Sequence, residues 1–269
     1  MSAPFFFGEH GRTLFGLLHG PADDAVEPAS GLLLCAPLLQ DGIRSHRAMW
    51  ALGEAVGHFG IPTLTFDWYG TGDSAGEDRE LSVPGMLADL DTAAAALRQR
   101  GGSPQLQWLG LRSAAIPLLA YLAQQRNAVD VVLWDPQLDG RRLVDGWREQ
   151  HRQQLHESGR YVNAKHEADA DDLLGFAVEP SLLAELAVID ATRLVLPSGS
   201  RVRMAVWEMD EELDRFAQAQ RANGVSVEAV LLDEGERPEW NVPSRFGGQV
   251  FPRRAVAQLA QRMTAQVPW

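Results

Sequence analysis

The feature that most constrains this chain is a run of short apolar segments separated by stretches with helical spacing. Gly31–Ala36, Ile61–Phe66, Leu106–Leu111, Val129–Trp134, Arg201–Trp207 and Val227–Leu232 each read as a strand, the first two as fully buried ones. Between them, Met49, Leu52, Val56 and Phe59 recur at spacings of three and four, as one face of a helix requires. Leu87–Leu97, Ala114–Ala123, Leu213–Ala222 and Arg254–Thr264 read as further helices. Phe5–Phe7 and Leu14–Leu18 flank the turn signal Glu9-His10-Gly11-Arg12, an opening hairpin. Strands that alternate with helices imply a mostly parallel sheet joined by right-handed crossovers, with helices on both faces. The expected class is therefore α/β, in one large domain that 269 residues suffice to build.

The alternation lapses once. Gly140–Asp172 is polar and carries His151, His156, His166 and the acidic run Asp169–Asp172. Structureless loops of that length inside compact domains are usually functional or disordered, so residues 140–190 are expected to form a cap over the sheet edge. Residues 1–139 and 191–269 then make the core. Pro21–Ser30 reads as a loop.

Two glycine-containing turns narrow the class. Asp67-Trp68-Tyr69-Gly70-Thr71-Gly72-Asp73-Ser74-Ala75-Gly76 follows a strand, and its glycines allow sharp turning where side chains would clash. A dinucleotide site is rejected, because these glycines come late in the chain and no helix opens at once on the last of them. With its flanking strands, the segment resembles the α/β-hydrolase superfamily, where such a loop precedes the strand that leads to the nucleophile. The second turn is Gly110-Leu111-Arg112-Ser113-Ala114. A nucleophile elbow is a strained strand-to-helix turn with small residues two before and two after its centre. Centring on Arg112 places Gly110 and Ala114 there, whereas centring on Ser113 puts Leu111 where the turn is crowded. The register favours arginine at the apex.

Arginine stays protonated and has no lone pair with which to attack a carbonyl. At a helix N-terminus it would add to an anion-attracting field; the alternative is an ion pair that holds loops together. The superfamily's histidine follows the last strand, yet here Val227–Leu232 leads into Asp233 to Asn241 and no histidine occurs after His166. Asp210 stands where a triad acid would sit, with neither nucleophile nor base to orient. It either pairs with Arg112 or starts a solvated helix.

These departures resemble the hydrolase-like proteins associated with exosortase A systems, especially the second type. The resemblance rests on the Asp67–Gly76 loop, Gly110-Leu111-Arg112, Leu133 to Leu138 with Gly140, Gly175-Phe-Ala-Val-Glu-Pro-Ser-Leu and Pro238-Glu239-Trp240. It implies a cytoplasmic protein linked to bacterial surface polysaccharide and protein sorting, with no known reaction. The chain departs from that group in having Ser113-Ala114 after the arginine and His46 in Ser45-His46-Arg47.

Composition removes some partners. A formal charge of −12 repels phosphate backbones, so nucleic acid is not expected. Lys165 is the lone lysine, a bias attributed to gene base composition. The lone Cys35 allows no internal disulfide and fits a reducing compartment. Met1–Gly20 lacks the pattern of a secretory signal, and no apolar run approaches the roughly 18 residues of a membrane span. A cytoplasmic location is expected. His151 and His156, five apart, miss the spacing that puts two ligands on one helix face, and no metal or cofactor is expected.

Three functions follow. In the first, Arg112 holds an acyl or anionic small molecule beneath the cap without conventional serine hydrolysis. The backbone of Leu38 and Leu39, in the oxyanion-hole position, would assist, and Trp68 and Trp240 either line the pocket or belong to the core. In the second, Ser113 acts as nucleophile of an esterase, thioesterase or acyltransferase with His46 or a cap histidine as base; His46 as an exposed loop residue is the plain alternative. Cys35 as nucleophile is a weaker variant of this, against a buried, inert thiol. In the third, the acidic surface or cap binds another protein of its pathway. A scaffold predicts a closed pocket, and the first two functions predict an open one.

Overall fold

The computed structural model describes residues 2–20, 30–157, 172–242, 245 and 248–269. Most of the loop Pro21–Ser30, together with Lys165, His166 and the acidic run as far as Asp171, lies outside them. The chain opens with the expected hairpin, β1 (Ser2–Glu9) and β2 (Arg12–His19). There follow β3 (Ser30–Cys35), α1 (Leu39–His58), β4 (Thr63–Phe66), α2 (Val83–Gly101), β5 (Gln105–Leu111), α3 (Ala115–Leu122) and β6 (Asp130–Trp134). The excursion that follows contains α4 (Gly140–Glu157), a small hairpin of β7 (Asp172–Leu173) and β8 (Phe176–Ala177), and α5 (Pro180–Ala187). β9 (Arg201–Val206), α6 (Glu211–Ala222), β10 (Ser226–Leu231) and α7 (Arg253–Met263) complete the chain.

The main sheet has eight strands in the order β1-β2-β4-β3-β5-β6-β9-β10. β1–β2 and β2–β4 pair antiparallel and every other neighbour pairs parallel. Parallel neighbours require crossover helices, and these bury the sheet on both sides. α1 and α7 cover one face with Leu52, Val56, Val256 and Leu259 against Leu32, Leu34 and Leu109. α2, α3 and α6, with the excursion, cover the other, where Leu90, Leu119, Phe216 and Trp147 meet Leu33, Trp108 and Val202.

One expectation is corrected. The polar stretch after residue 140 is not irregular: it begins with α4, an 18-residue helix. Leu143, Val144, Trp147 and His151 are buried and recur every one, three and four residues. Such a narrow stripe on a charged helix is enough to seat it against a core, although it is too thin to stand out in the sequence. The excursion leaves and returns at one place, where Asp139 bridges Asp190 and the Gly140 N–H bonds Ile189 O at 2.9 Å. A Cβ at Gly140 would lie 1.8 Å from Leu186 O, so only glycine permits this crossing.

Candidate functional site

The turn after β5 is centred on Arg112, which has φ of 50°, in the left-handed region that costs an L-residue about 1–2 kcal/mol. The helix begins at once, through a short 3-10 turn at Arg112–Ala114. A Cβ on Gly110 would lie 3.4 Å from the Ala115 backbone and 3.0 Å from Leu118. That crowding is why the position two before the apex has to be small.

The apex side chain is enclosed. Arg112 is 7% exposed and Asp41, at the start of α1, is 5% exposed. Arg112 Nε donates to Asp41 Oδ2 at 2.7 Å, and Nη1 donates to Asp135 Oδ2 at 3.0 Å. Its guanidinium lies 4.4 Å from the Trp240 ring centroid. Trp240 Nε1–H donates to the same Asp135 oxygen at 3.0 Å. Burial opposes the cation, but the two carboxylates outweigh that and hold Arg112 above the ordinary arginine value. Arg44 then fastens the loop that carries Trp240, donating to Trp240 O at 2.7 Å, Glu239 O at 3.1 Å and Gly248 O at 3.2 Å.

Arg112 takes the elbow, and Trp240, in the loop after β10, presents the ring N–H. Asp135, at the end of β6 with φ of 46°, accepts it. Neither the Arg112 guanidinium nor the Trp240 indole has a lone pair for attack on a carbonyl, and the Asp135 carboxylate is engaged by both.

Ser113 is 0% exposed, and its Oγ accepts the Leu38 N–H at 2.9 Å. Leu38 lies in the loop after β3, and this bond engages its N–H. Asp210 lies elsewhere: its Oδ1 caps α6 by accepting the Leu213 N–H at 2.9 Å. Of the two roles left open for it, the helix start is the one its contacts match. Cys35 is fully buried, and burial pushes its thiol well above the ordinary range. Native protein is accordingly expected to resist iodoacetamide at pH 8 and to be alkylated stoichiometrically once unfolded; rapid labelling of the native form would contradict its burial.

The open space lies beside this lock. A cleft of about 650 Å³ is lined from β2, β3, β4, α1 and the Asp67–Gly76 loop, with Phe176 of the excursion at its side. Leu38, Leu39, Trp68 and His46 line it, whereas Arg112, Ser113, Trp240 and Asp210 do not. Its walls are Leu17, Leu34, Met49, Phe66 and Leu81, and Trp68 is fixed by donating Nε1–H to Ala36 O at 2.9 Å. Ser74 pins the loop by donating to Asp67 O at 2.6 Å while accepting the Phe15 N–H at 2.9 Å. His46 is exposed and faces Asp67, whose carboxyl is raised by burial and lowered in part by the Asp73 N–H. Among the described residues, no group of three or more His, Cys, Asp and Glu side chains is placed to hold a metal.

The sequence singled out Arg112 but missed its partners Asp41 and Asp135 and the staple Arg44. Asp41 stands 71 residues from Arg112 and carries no local signal. Asp135 was visible only as the stop of a strand.

With this geometry in hand, solved structures place the fold. Est1E from Butyrivibrio proteoclasticus, determined with ferulic acid bound, is 12% identical, with 97% of this chain and 98% of that one covered at a TM-score of 0.65. An α/β serine hydrolase homologue from Coxiella burnetii is 14% identical, with 99% and 97% covered at 0.55. The esterase Pf2001 of Pyrococcus furiosus is 14% identical, with 98% and 92% covered at 0.56. No protein-family model matches the chain, and no curated protein does. The chain has the α/β-hydrolase fold, with its mostly parallel sheet and helices on both faces. No helix among the described residues is long and apolar enough to cross a membrane.

Proposed function

We propose that this protein binds an apolar or acyl small molecule in the cleft beside α1 and does not perform conventional serine hydrolysis. The observation that carries this reading is the enclosed Arg112–Asp41–Asp135–Trp240 cluster at the position of the triad. Arg112 acts there as a structural tie. Its charge is opposed by two carboxylates, which removes the reason to expect an anion beneath it. The acyl side of the sequence expectation is retained and the anionic side is set aside. Residues 140–190 serve as the cap, bringing Phe176 to the cleft. An open cleft of this size favours a ligand over a pure scaffold, since ligand sites commonly span about 300–1,000 Å³. The resemblance to exosortase-associated proteins supports a cytoplasmic role in a pathway linked to surface polysaccharide, with a pathway protein as a second partner.

Treatment of the purified protein with a fluorophosphonate probe, followed by peptide mass spectrometry, is expected to give no serine adduct. The buried Ser113 hydroxyl is engaged with Leu38, and among the described residues no histidine hydrogen-bonds it. A stoichiometric adduct on Ser113 that disappears in Ser113→Ala would overturn the reading and establish an unconventional esterase or acyltransferase.

A further inference from the structure

The two fully buried carboxylates among the described residues, Asp41 and Asp89, come with arginines. Asp41 pairs with Arg112 at 2.7 Å and Asp89 with Arg12 at 2.8 Å. This is the usual requirement for a desolvated charge. Asp67 is held by other means. It is half-buried at the wall of the cleft, its Oδ2 accepts the Asp73 N–H at 2.9 Å, and among the described residues no arginine or lysine pairs with it. A Cβ on Gly72 would stand 2.2 Å from that oxygen, so the loop backbone closes one side of the carboxylate and leaves the other toward the cleft.

The remaining lining has the same sign and a suitable texture. Asp73 and Asp78 are the other carboxylates, His46 faces Asp67 from α1, and among the described residues no arginine or lysine lines the space. Phe15, Phe66, Trp68, Trp50 and Phe176 supply aromatic surface. Aromatic faces attract cations electrostatically, and more strongly where water is excluded. A carboxylate head group would face three carboxylates and no arginine or lysine, whereas an ammonium group would supply the partner that Asp67 lacks.

We propose that the cleft selects ligands joining an apolar body to a cationic, ammonium-type head group, with Asp67 as the counter-charge. This rests on the reading of the cleft as the small-molecule site. The apolar body lies along Leu17, Leu34, Met49 and Leu81, and the head lies at Asp67.

The test is calorimetric titration of the full chain with octyltrimethylammonium, octanol and octanoate. The ammonium compound is expected to bind one-to-one and at least tenfold tighter than octanoate. Asp67→Asn, which keeps an oxygen to accept the Asp73 N–H, is expected to remove most of that margin. It deletes one charge from a chain of net −12, so a general surface attraction would survive it. In the wild type, added salt is expected to weaken the ammonium compound and leave octanol unaffected, a readout that does not depend on the variant folding. Octanoate binding as well as the ammonium compound, a margin that persists in Asp67→Asn, or an ammonium affinity insensitive to salt would overturn the head-group assignment alone. Failure of all three chains to bind would overturn the small-molecule reading beneath it.

Discussion

Replacing Arg112 with alanine is expected to lower the unfolding free energy by about 3–5 kcal/mol, because it strands a buried carboxylate. Asp41 is 5% exposed and cannot be rescued by water while the elbow stays closed. At about 2–4 °C per kcal/mol for a large domain, the melting temperature should fall by about 6–20 °C. Arg112→Lys should recover part of this, since an ammonium reaches one carboxylate but lacks the planar fork that spans Asp41 and Asp135. Arg112→Gly should be less damaging than Arg112→Ala by about 1 kcal/mol, because glycine relaxes the left-handed backbone at φ of 50°. In the double variant Arg112→Ala/Asp41→Ala the orphaned charge is gone, so its loss should fall short of the sum of the two single losses by about 1–3 kcal/mol. Urea denaturation of the set reads all four. A loss below about 1 kcal/mol in Arg112→Ala would mean that the guanidinium is solvated and free to meet a ligand.

Trp240→Ala is expected to cost a similar amount, about 3–5 kcal/mol, by emptying the space over the elbow. The ring is 7% exposed and lies 4.4 Å from the Arg112 guanidinium and 5.4 Å from that of Arg44. Trp240→Phe retains a ring face for both cations and loses only the N–H to Asp135, whose oxygen still accepts from Arg112. Its cost should be about 0.5–1.5 kcal/mol, the worth of one hydrogen bond. Opening the lid over Arg112 should also expose the guanidinium to phenylglyoxal in Trp240→Ala, with modification at Arg112 read by peptide mass spectrometry. Equal modification of the wild type would show that the indole does not seal the site.

Much of this was legible in the chain itself. The strands could be read because a parallel sheet covered on both faces needs continuous apolar runs, and Leu32–Leu34, Leu109 and Val131–Leu133 are such runs. The apex of the elbow could be read because steric crowding there is local: Gly110 and Ala114 had to be small, which placed the positive φ on Arg112. α4 was not legible, since its apolar stripe of Leu143, Val144 and Trp147 is diluted by charged neighbours and gains its meaning from the core it meets.

What Arg112 does was decided by tertiary structure. Asp41, Asp135 and Trp240 come from three distant segments, and only the packing of α1, β6 and the loop after β10 makes them partners. The same holds for Asp67, whose lack of an arginine or lysine partner among the described residues only the assembled fold reveals. Covalent chemistry and local sterics are written residue by residue. Charge compensation depends on which side chains meet through space, and the chain alone does not list them.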